Sequence, residues 1–213
     1  INTAEQLAAT PVYSTLTGIG DIAYIDQNGD GKINAGKGTV EDHGDLVQLG
    51  ENQQRYLFGI NGNASWKNLD FSFLIQGVGK RAFMPNSEMI TPYAESWIMP
   101  MAIHNDYWTP ENQNAAFPRP YLNGYHNYIT SDRWVLNASY ARLKNIQFGY
   151  SLSKDVLART FLTRLRFYLS GENIATISKF GVFKTTFDPE QKNGIYADYP
   201  VFGTISFGMN LTF

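Results

Sequence analysis

Over residues 203–213 apolar and polar positions alternate without a fault: Ile205, Phe207, Met209, Leu211 and Phe213 fall on one side, Thr204, Ser206, Gly208, Asn210 and Thr212 on the other. A period of two predicts a β-strand, and about 11 residues is what a tilted strand needs to cross a bilayer. Residues 164–173 repeat the pattern, with Leu165, Phe167 and Leu169 opposite Arg164, Arg166, Tyr168, Ser170 and Glu172. Over 145–152, Ile146, Phe148, Tyr150 and Leu152 oppose Asn145, Gln147, Gly149 and Ser151, but upstream the phase slips and Ala141 and Leu143 become the apolar members. A bulge, or a Leu143 on the polar side near Lys144, accounts equally for the slip. Two further strands flank a tight turn at Lys67 and Asn68. Tyr56, Phe58, Ile60, Ala64 and Trp66 mark the apolar side of the first, and Leu69, Phe71, Phe73 and Ile75 that of the second, with Leu57, Leu74 and Val78 out of phase.

The polar side of these strands carries Arg, Glu and Asn, which is too charged for a sandwich core. It suits the lumen of a transmembrane barrel, whose apolar face looks out at lipid. No run approaches the roughly 18 apolar residues of a membrane-spanning helix, so any crossing is made by strands. If Phe213 ends on the periplasmic side, antiparallel alternation places residues 67–68 and 153–163 there too. Residues 81–133 and 176–200 then become long extracellular loops, the asymmetry expected of outer-membrane barrels. Residues 1–54 read as an extracellular loop region ahead of the strand region 55–213. About five strands cannot close a barrel, since small barrels use about eight and large transporters about 22. The fold expectation is therefore all-β: the C-terminal strands and outer loops of a large barrel, with the remaining strands and any plug domain before Ile1.

Composition narrows the function classes. Aromatics make up 15% of the 213 residues, as interfacial girdles at strand ends require. Seventeen Lys and Arg against 19 Asp and Glu give no electrostatic reason to expect nucleic acid as a partner. The absence of Cys removes disulfides, thiolate metal sites and Cys nucleophiles. The start at Ile1, without Met or a leader-like apolar stretch, suits a mature piece of a longer protein.

One motif has ligand chemistry. From Asp26, oxygen side chains stand at loop positions 1, 3 and 5 (Asp26, Asn28, Asp30), a turn Gly31 at position 6 and Lys32 at 7, an array that suits a hard cation such as calcium. The EF-hand template needs Glu at position 12, where Lys37 stands; Asp42 and Asp45 are the candidates to complete the shell. A surface turn rich in Asp, Asn and Gly that needs no metal is the alternative. No organic cofactor is expected: Gly18-Ile-Gly20-Asp-Ile-Ala23 fits a dinucleotide fingerprint formally, but a turn follows where the phosphate-binding helix should begin. The candidates for substrate contact are Trp108, Tyr121 and Tyr125 in the aromatic loop and Arg164, Arg166 and Tyr168 on the polar strand face. Isolated His43, His104 and His126 show no triad or metal spacing, and no acid–base pair stands out, so no enzyme is expected.

Four phrases carry a family resemblance: Gly20-Asp-Ile-Ala-Tyr-Ile-Asp-Gln-Asn-Gly-Asp-Gly-Lys-Ile-Asn34; Trp108-Thr-Pro-Glu-Asn-Gln-Asn114 with Pro118-Arg119; Ser139-Tyr-Ala-Arg-Leu-Lys-Asn-Ile-Gln-Phe-Gly-Tyr150; and Tyr199-Pro-Val-Phe202 to Leu211-Thr-Phe213. In this order and nearly end to end, they resemble the C-terminal part of SusC-like TonB-dependent transporters of the Bacteroidetes. The resemblance implies an outer-membrane importer with an N-terminal plug, energised through TonB. It would take up oligosaccharides, or else peptides, handed over by a SusD-like surface lipoprotein, and Phe213 would match the signal read by barrel-assembly machinery. The competing reading from a different class is a secreted, calcium-stabilised β-sandwich that binds carbohydrate.

Overall fold

The structure, a computed structural model, describes residues 1–95, 97–190 and 201–213. It divides into two compact units. One comprises Ile1–Gly50 and Phe83–Leu136, the other Glu51–Ala82 with residues 137–190 and 201–213. Residues 191–200 of the predicted loop 176–200 lie outside the described residues.

The second unit is built on an antiparallel sheet in the order β1 (Arg55–Trp66), β2 (Leu69–Lys80), β4 (Leu136–Ser151), β5 (Arg164–Lys179) and β6 (Thr204–Thr212), with the two-residue β3 (Ala82–Phe83) pairing β4 beside this path. Alternation and register together fix its two faces. Ala64, Phe71, Phe148, Leu169 and Phe207 line up on one face, and Asn63, Ser72, Gln147, Ser170 and Ser206 form the neighbouring row on the other. The apolar face is open, with Ile205 75% and Phe207 73% exposed. All strands among the described residues belong to this one sheet, whereas a sandwich needs a second sheet against the apolar face. Leu57, Leu74 and Val78, out of phase in the sequence, fall on the polar face, where Val78 is buried.

The phase slip is a bulge. Leu143 pairs with Ile75 and Ala175 on the apolar face, and the register shifts between Leu143 and Asn145, leaving Lys144 as the extra residue. A second irregularity faces it on β5, where Asn173 and Ile174 intervene between the pairs made by Glu172 and Ala175, and Asn173 has φ 52°. Bulges of this kind let a strand continue past a break in the ladder. They explain why β4 begins at Leu136 and β5 runs on to Lys179, beyond the alternation visible in the sequence.

At one end of the sheet lie the turn after Trp66, the segment 152–163 with its short helix α3 (Lys154–Leu157), and Phe213, whose ring stacks on Phe161 at 5.8 Å. Thr163 donates its backbone N–H to the Thr212 carbonyl at 2.8 Å, closing this end. After Lys179 at the other end, a 3-10 turn (Gly181–Thr185) is held by a cluster of Phe180, Phe183 and Phe187.

The other unit has its own core, formed by Ile90, Ala94, Ile98, Phe117, Tyr128 and Trp134, all at most 7% exposed. The long segment 81–133 is thus not structureless. Its aromatics bury one another, with Phe117 between His104 and Trp134, and the indole N–H of Trp134 donates to the Asn127 carbonyl at 2.8 Å. Two short helices, α1 (Ala4–Ala9) and α2 (Ser87–Ile90), belong to it; α1 starts in a capping box of Thr3 and Gln6. No helix among the described residues is long and apolar enough to cross a membrane.

Candidate functional site

On the polar face of the sheet, β5 presents Arg166 and β2 Asp70. The guanidinium Nε donates to Asp70 Oδ1 at 2.9 Å, and Nη2 bonds Asp70 Oδ2 and, at 3.0 Å, Gln147 Oε1. This pair lies flat over Gly149, where a Cβ would overlap both the guanidinium and the carboxylate. Tyr168, with the Arg166 guanidinium 5.2 Å from its ring centre, lies in the same way over Gly208. The glycines of these strands make room for planar side chains from the next strand. Arg164 stands exposed at the start of β5.

A denser charge cluster lies at the far end of the same face. Buried Arg142 on β4 donates to Thr176 Oγ1 at 2.8 Å and Asp188 Oδ2 at 2.6 Å, and lies 3.0 Å from Glu190. The bulge residue Lys144 reaches Glu190 at 2.7 Å. Burial by itself pushes the Glu190 carboxyl up, but the Lys144 ammonium and Arg142 outweigh it and hold it below the usual range. Two cations on β4 thus pin the chain that follows β5.

In the other unit the hub is Asp21, whose side chain is fully buried. Oδ2 accepts from Gly18 N–H at 2.7 Å and from the Tyr121 hydroxyl at 2.8 Å, with His126 Nε2 at 3.0 Å, and Oδ1 accepts from Asn127 at 2.8 Å. Tyr24, whose hydroxyl donates to the His126 carbonyl at 2.8 Å, has its phenol pushed up to about 12 by burial. A buried carboxylate with four partners holds segments together; its acceptors are consumed by the protein itself. Gly20, at φ 98°, lets the backbone pass against the Trp108 ring, which leaves no room for a Cβ, and the Trp108 indole donates to Asn2 Oδ1 at 2.8 Å. The glycine pattern around Gly18 therefore serves close packing. His104 takes the Met101 N–H at 2.9 Å and lies 3.0 Å from the Met89 carbonyl, and burial lowers its pKa.

The Asp-rich loop closes on itself. Asp26 accepts from the N–H groups of Gly29 and Gly31, each at 2.7 Å, Asn28 from Asp30 at 3.0 Å and Asp30 from Lys32 at 2.8 Å. Asp45 clamps both ends, accepting from Gln27 and Asn34 at 2.7 Å, and these bonds, that from Asn34 foremost, lower its pKa. Asp42 lies 3.7 Å from Lys37. The oxygen donors suit calcium by type, but among the described residues no three Asp, Glu or His side chains converge in a way that could hold an ion. Five of the six candidates share one loop network, and Asp42 is drawn off by Lys37.

Of the six substrate candidates, Trp108 and Tyr121 are committed to the packing around Gly20 and Asp21, Tyr125 is exposed with its hydroxyl donating to Glu95 at 2.7 Å, Arg164 is exposed at the start of β5, and Arg166 and Tyr168 belong to the strand-face network. The Arg142 cluster was not foreseen. Its partners Asp188 and Glu190 lie 46 positions downstream of Arg142 and Lys144, and the local signal is that these two cations are the only charges on β4.

Comparison with known proteins gives the following. No known family model matches the chain. It is 32% identical over 209 residues to TonB-dependent receptor P26 of Formosa agariphila, covering 92% of this chain and 20% of that protein. To TonB-dependent receptor P3 of the same organism it is 27% identical over 213 residues (94% and 20%), and to TonB-dependent receptor SusC of Bacteroides thetaiotaomicron 29% over 197 residues (89% and 17%). The chain spans about a fifth of the length of these relatives. Among solved structures it is similar to the RagAB peptide importer in the open-open state, with a TM-score of 0.59 and 23% identity over 76% of this chain and 17% of that one. A further structure of the RagAB peptide transporter gives 0.57 and 24% over 73% and 17%. At these identities the structural likeness speaks for the fold.

Proposed function

We infer that this chain, which belongs with the SusC-like TonB-dependent receptors of the Bacteroidetes outer membrane, supplies wall strands and extracellular loops to an active nutrient importer. The observation that carries the reading is the two-faced sheet. One face exposes a continuous apolar row fit for lipid, and the other holds ion pairs and amides fit for a wet lumen. Both outer strands of the sheet, β1 and β6, have an edge free of any strand partner among the described residues. That suits continuation into the rest of a barrel. The segments after Lys80 and Lys179 are proposed to face outward, and Phe213 the periplasm.

The whole receptor is proposed to import oligosaccharides, with peptides as the second substrate class, to take them from a SusD-like lipoprotein and to draw energy through TonB. The relatives named as TonB-dependent receptors support the coupling. No bond chemistry is proposed. For the Asp26–Asp45 loop the proposal is structural: calcium bound there through the carboxylates of this loop would stiffen it.

The experiment is uptake of labelled oligosaccharide and peptide pools by cells carrying or lacking the full-length receptor, with and without TonB. Uptake that needs both proteins is expected. Uptake indifferent to either one refutes the importer reading.

A further inference from the structure

The sequence holds four Asn-Gly pairs, Asn28-Gly29, Asn61-Gly62, Asn123-Gly124 and Asn193-Gly194, the last outside the described residues. Such a pair is chemically frail, because glycine has no Cβ to keep the asparagine side chain away from the peptide nitrogen that follows it. The fold shields two of them. Gly62 pairs with Phe73 in the β1–β2 ladder and lies against its ring. Gly124 is buried against Tyr121, and the Asn123 N–H donates to the Tyr93 carbonyl at 3.1 Å. Asn28 and Gly29 are both exposed, and nothing stands within 4 Å of the place a Gly29 Cβ would take.

Around this pair the loop sets out the parts of a deamidation. Asn28 Oδ1 accepts the Asp30 N–H at 3.0 Å, so the side chain folds forward across Gly29, toward the nitrogen that would attack it. The same bond favours negative charge on that oxygen, where a tetrahedral intermediate develops it. The Gly29 N–H donates to Asp26 Oδ1 at 2.7 Å, a carboxylate placed to take its proton as a general base. Asn28 Nδ2, the leaving nitrogen, lies 3.3 Å from Asp30 Oδ2. We propose that Asn28 is a self-modification site, converted to aspartyl and isoaspartyl linkages with Asp26 as the base.

The steps balance. Asp26 takes the Gly29 proton, the freed nitrogen bonds to Asn28 Cγ, and the Cγ–Nδ2 bond breaks as the amine receives that proton and leaves as ammonia. Water then opens the five-membered imide at either carbonyl, giving the aspartyl chain or one routed through the side-chain carbon. One water enters, one ammonia leaves and nothing is oxidised or reduced. Either product sets a new carboxylate beside Asp30, and the isoaspartyl form adds a methylene to the backbone that Asp26 grips at Gly29 and Gly31. The loop therefore loosens as it ages, independently of what the receptor carries.

The test holds purified full-length receptor, folded in detergent or unfolded in denaturant, at neutral pH in heavy-oxygen water. Peptides are then sequenced by electron-based fragmentation, which separates aspartyl from isoaspartyl products. In the folded receptor Asn28 is expected to take up heavy oxygen roughly tenfold faster than Asn61 and Asn123, and faster than in the unfolded chain, where the three react alike. Asp26→Asn is expected to slow the folded reaction roughly tenfold or more and to leave the unfolded one unchanged. The folded-against-unfolded comparison of the wild type stands even if this variant fails to fold. Folded Asn28 reacting no faster than Asn61 or Asn123, no faster than in the unfolded chain, or at the wild-type rate in folded Asp26→Asn overturns the proposal.

Discussion

Replacing Phe207 by Arg sets a guanidinium on the lipid side of β6, and the structure says how deep. Phe207 stands six residues before Phe213, about 20 Å along a strand and about 14 Å along the membrane normal at a tilt of about 45°. An apolar band about 25 Å tall, starting at the Phe213 level, has its midplane about 12 Å up, so residue 207 sits close to it. An Arg at that depth is expected to cost about 2–4 kcal/mol, and near an interface about 0–1 kcal/mol. Leu165 pairs with Leu211, two residues from Phe213, so Leu165→Arg belongs to the interfacial class. Ser206 faces the other way, opposite Ser170; Ser206→Arg is expected to cost under about 1 kcal/mol. The assay is urea unfolding of the full-length receptor in phospholipid vesicles, followed by the heat-dependent gel shift of folded barrels. A Ser206→Arg penalty equal to that of Phe207→Arg, or no penalty for Phe207→Arg, refutes the assignment of faces.

Further expectations follow from the other sites. Asp21→Ala leaves His126, Tyr121, Asn127 and the Gly18 N–H without their acceptor and is expected to destabilise its unit by about 3–5 kcal/mol; wild-type resistance to trypsin in the 83–136 segment would count against the hub. The folded-state pKa of Glu190 is depressed, so its contribution to stability is complete above the ordinary carboxylate range and fades as pH falls from about 4.5 through the lower folded value. Hydrogen exchange in residues 180–190 should accelerate over that window in the wild type and lose this dependence in Glu190→Gln; a pH response identical in both excludes the cluster as its source. Calcium added after chelation should raise the unfolding temperature of the wild-type receptor more than that of Asp30→Asn, and equal or absent shifts remove calcium from the loop.

Strand existence was legible where alternation is unbroken, as in β6 and the first half of β5, because the side-chain period of two is local. The upper halves of β4 and β5 were not, since Lys144 and Asn173 each interrupt the period and nothing nearby marks where pairing resumes. The polar face was readable as a face, but its ion pairs were not: Arg166 finds Asp70 across 96 residues, a match that register alone decides. Likewise Asp21 and its partners Tyr121, His126 and Asn127 are at least 100 positions apart. The Asp-rich loop was legible as a turn, because Asp26, Asn28 and Asp30 accept from donors two to five residues away, whereas the clamp by Asp45 spans 11 and 18 positions and was not.

The bulge at Lys144 lets the chain carry one residue more than its partner strand without turning any side chain over. Deleting Lys144 would bring Leu143 next to Asn145 and keep Leu143 opposite Ile75 and Arg142 opposite Gln76, so residues 136–143 would hold their faces and the contact of Lys144 with Glu190 would be lost. A single-residue gap in an unbulged part of the strand has no such slack and turns the side chains beyond it to the opposite face. Chain length is therefore looser at this point than elsewhere in the strand, and single-residue gaps should collect there.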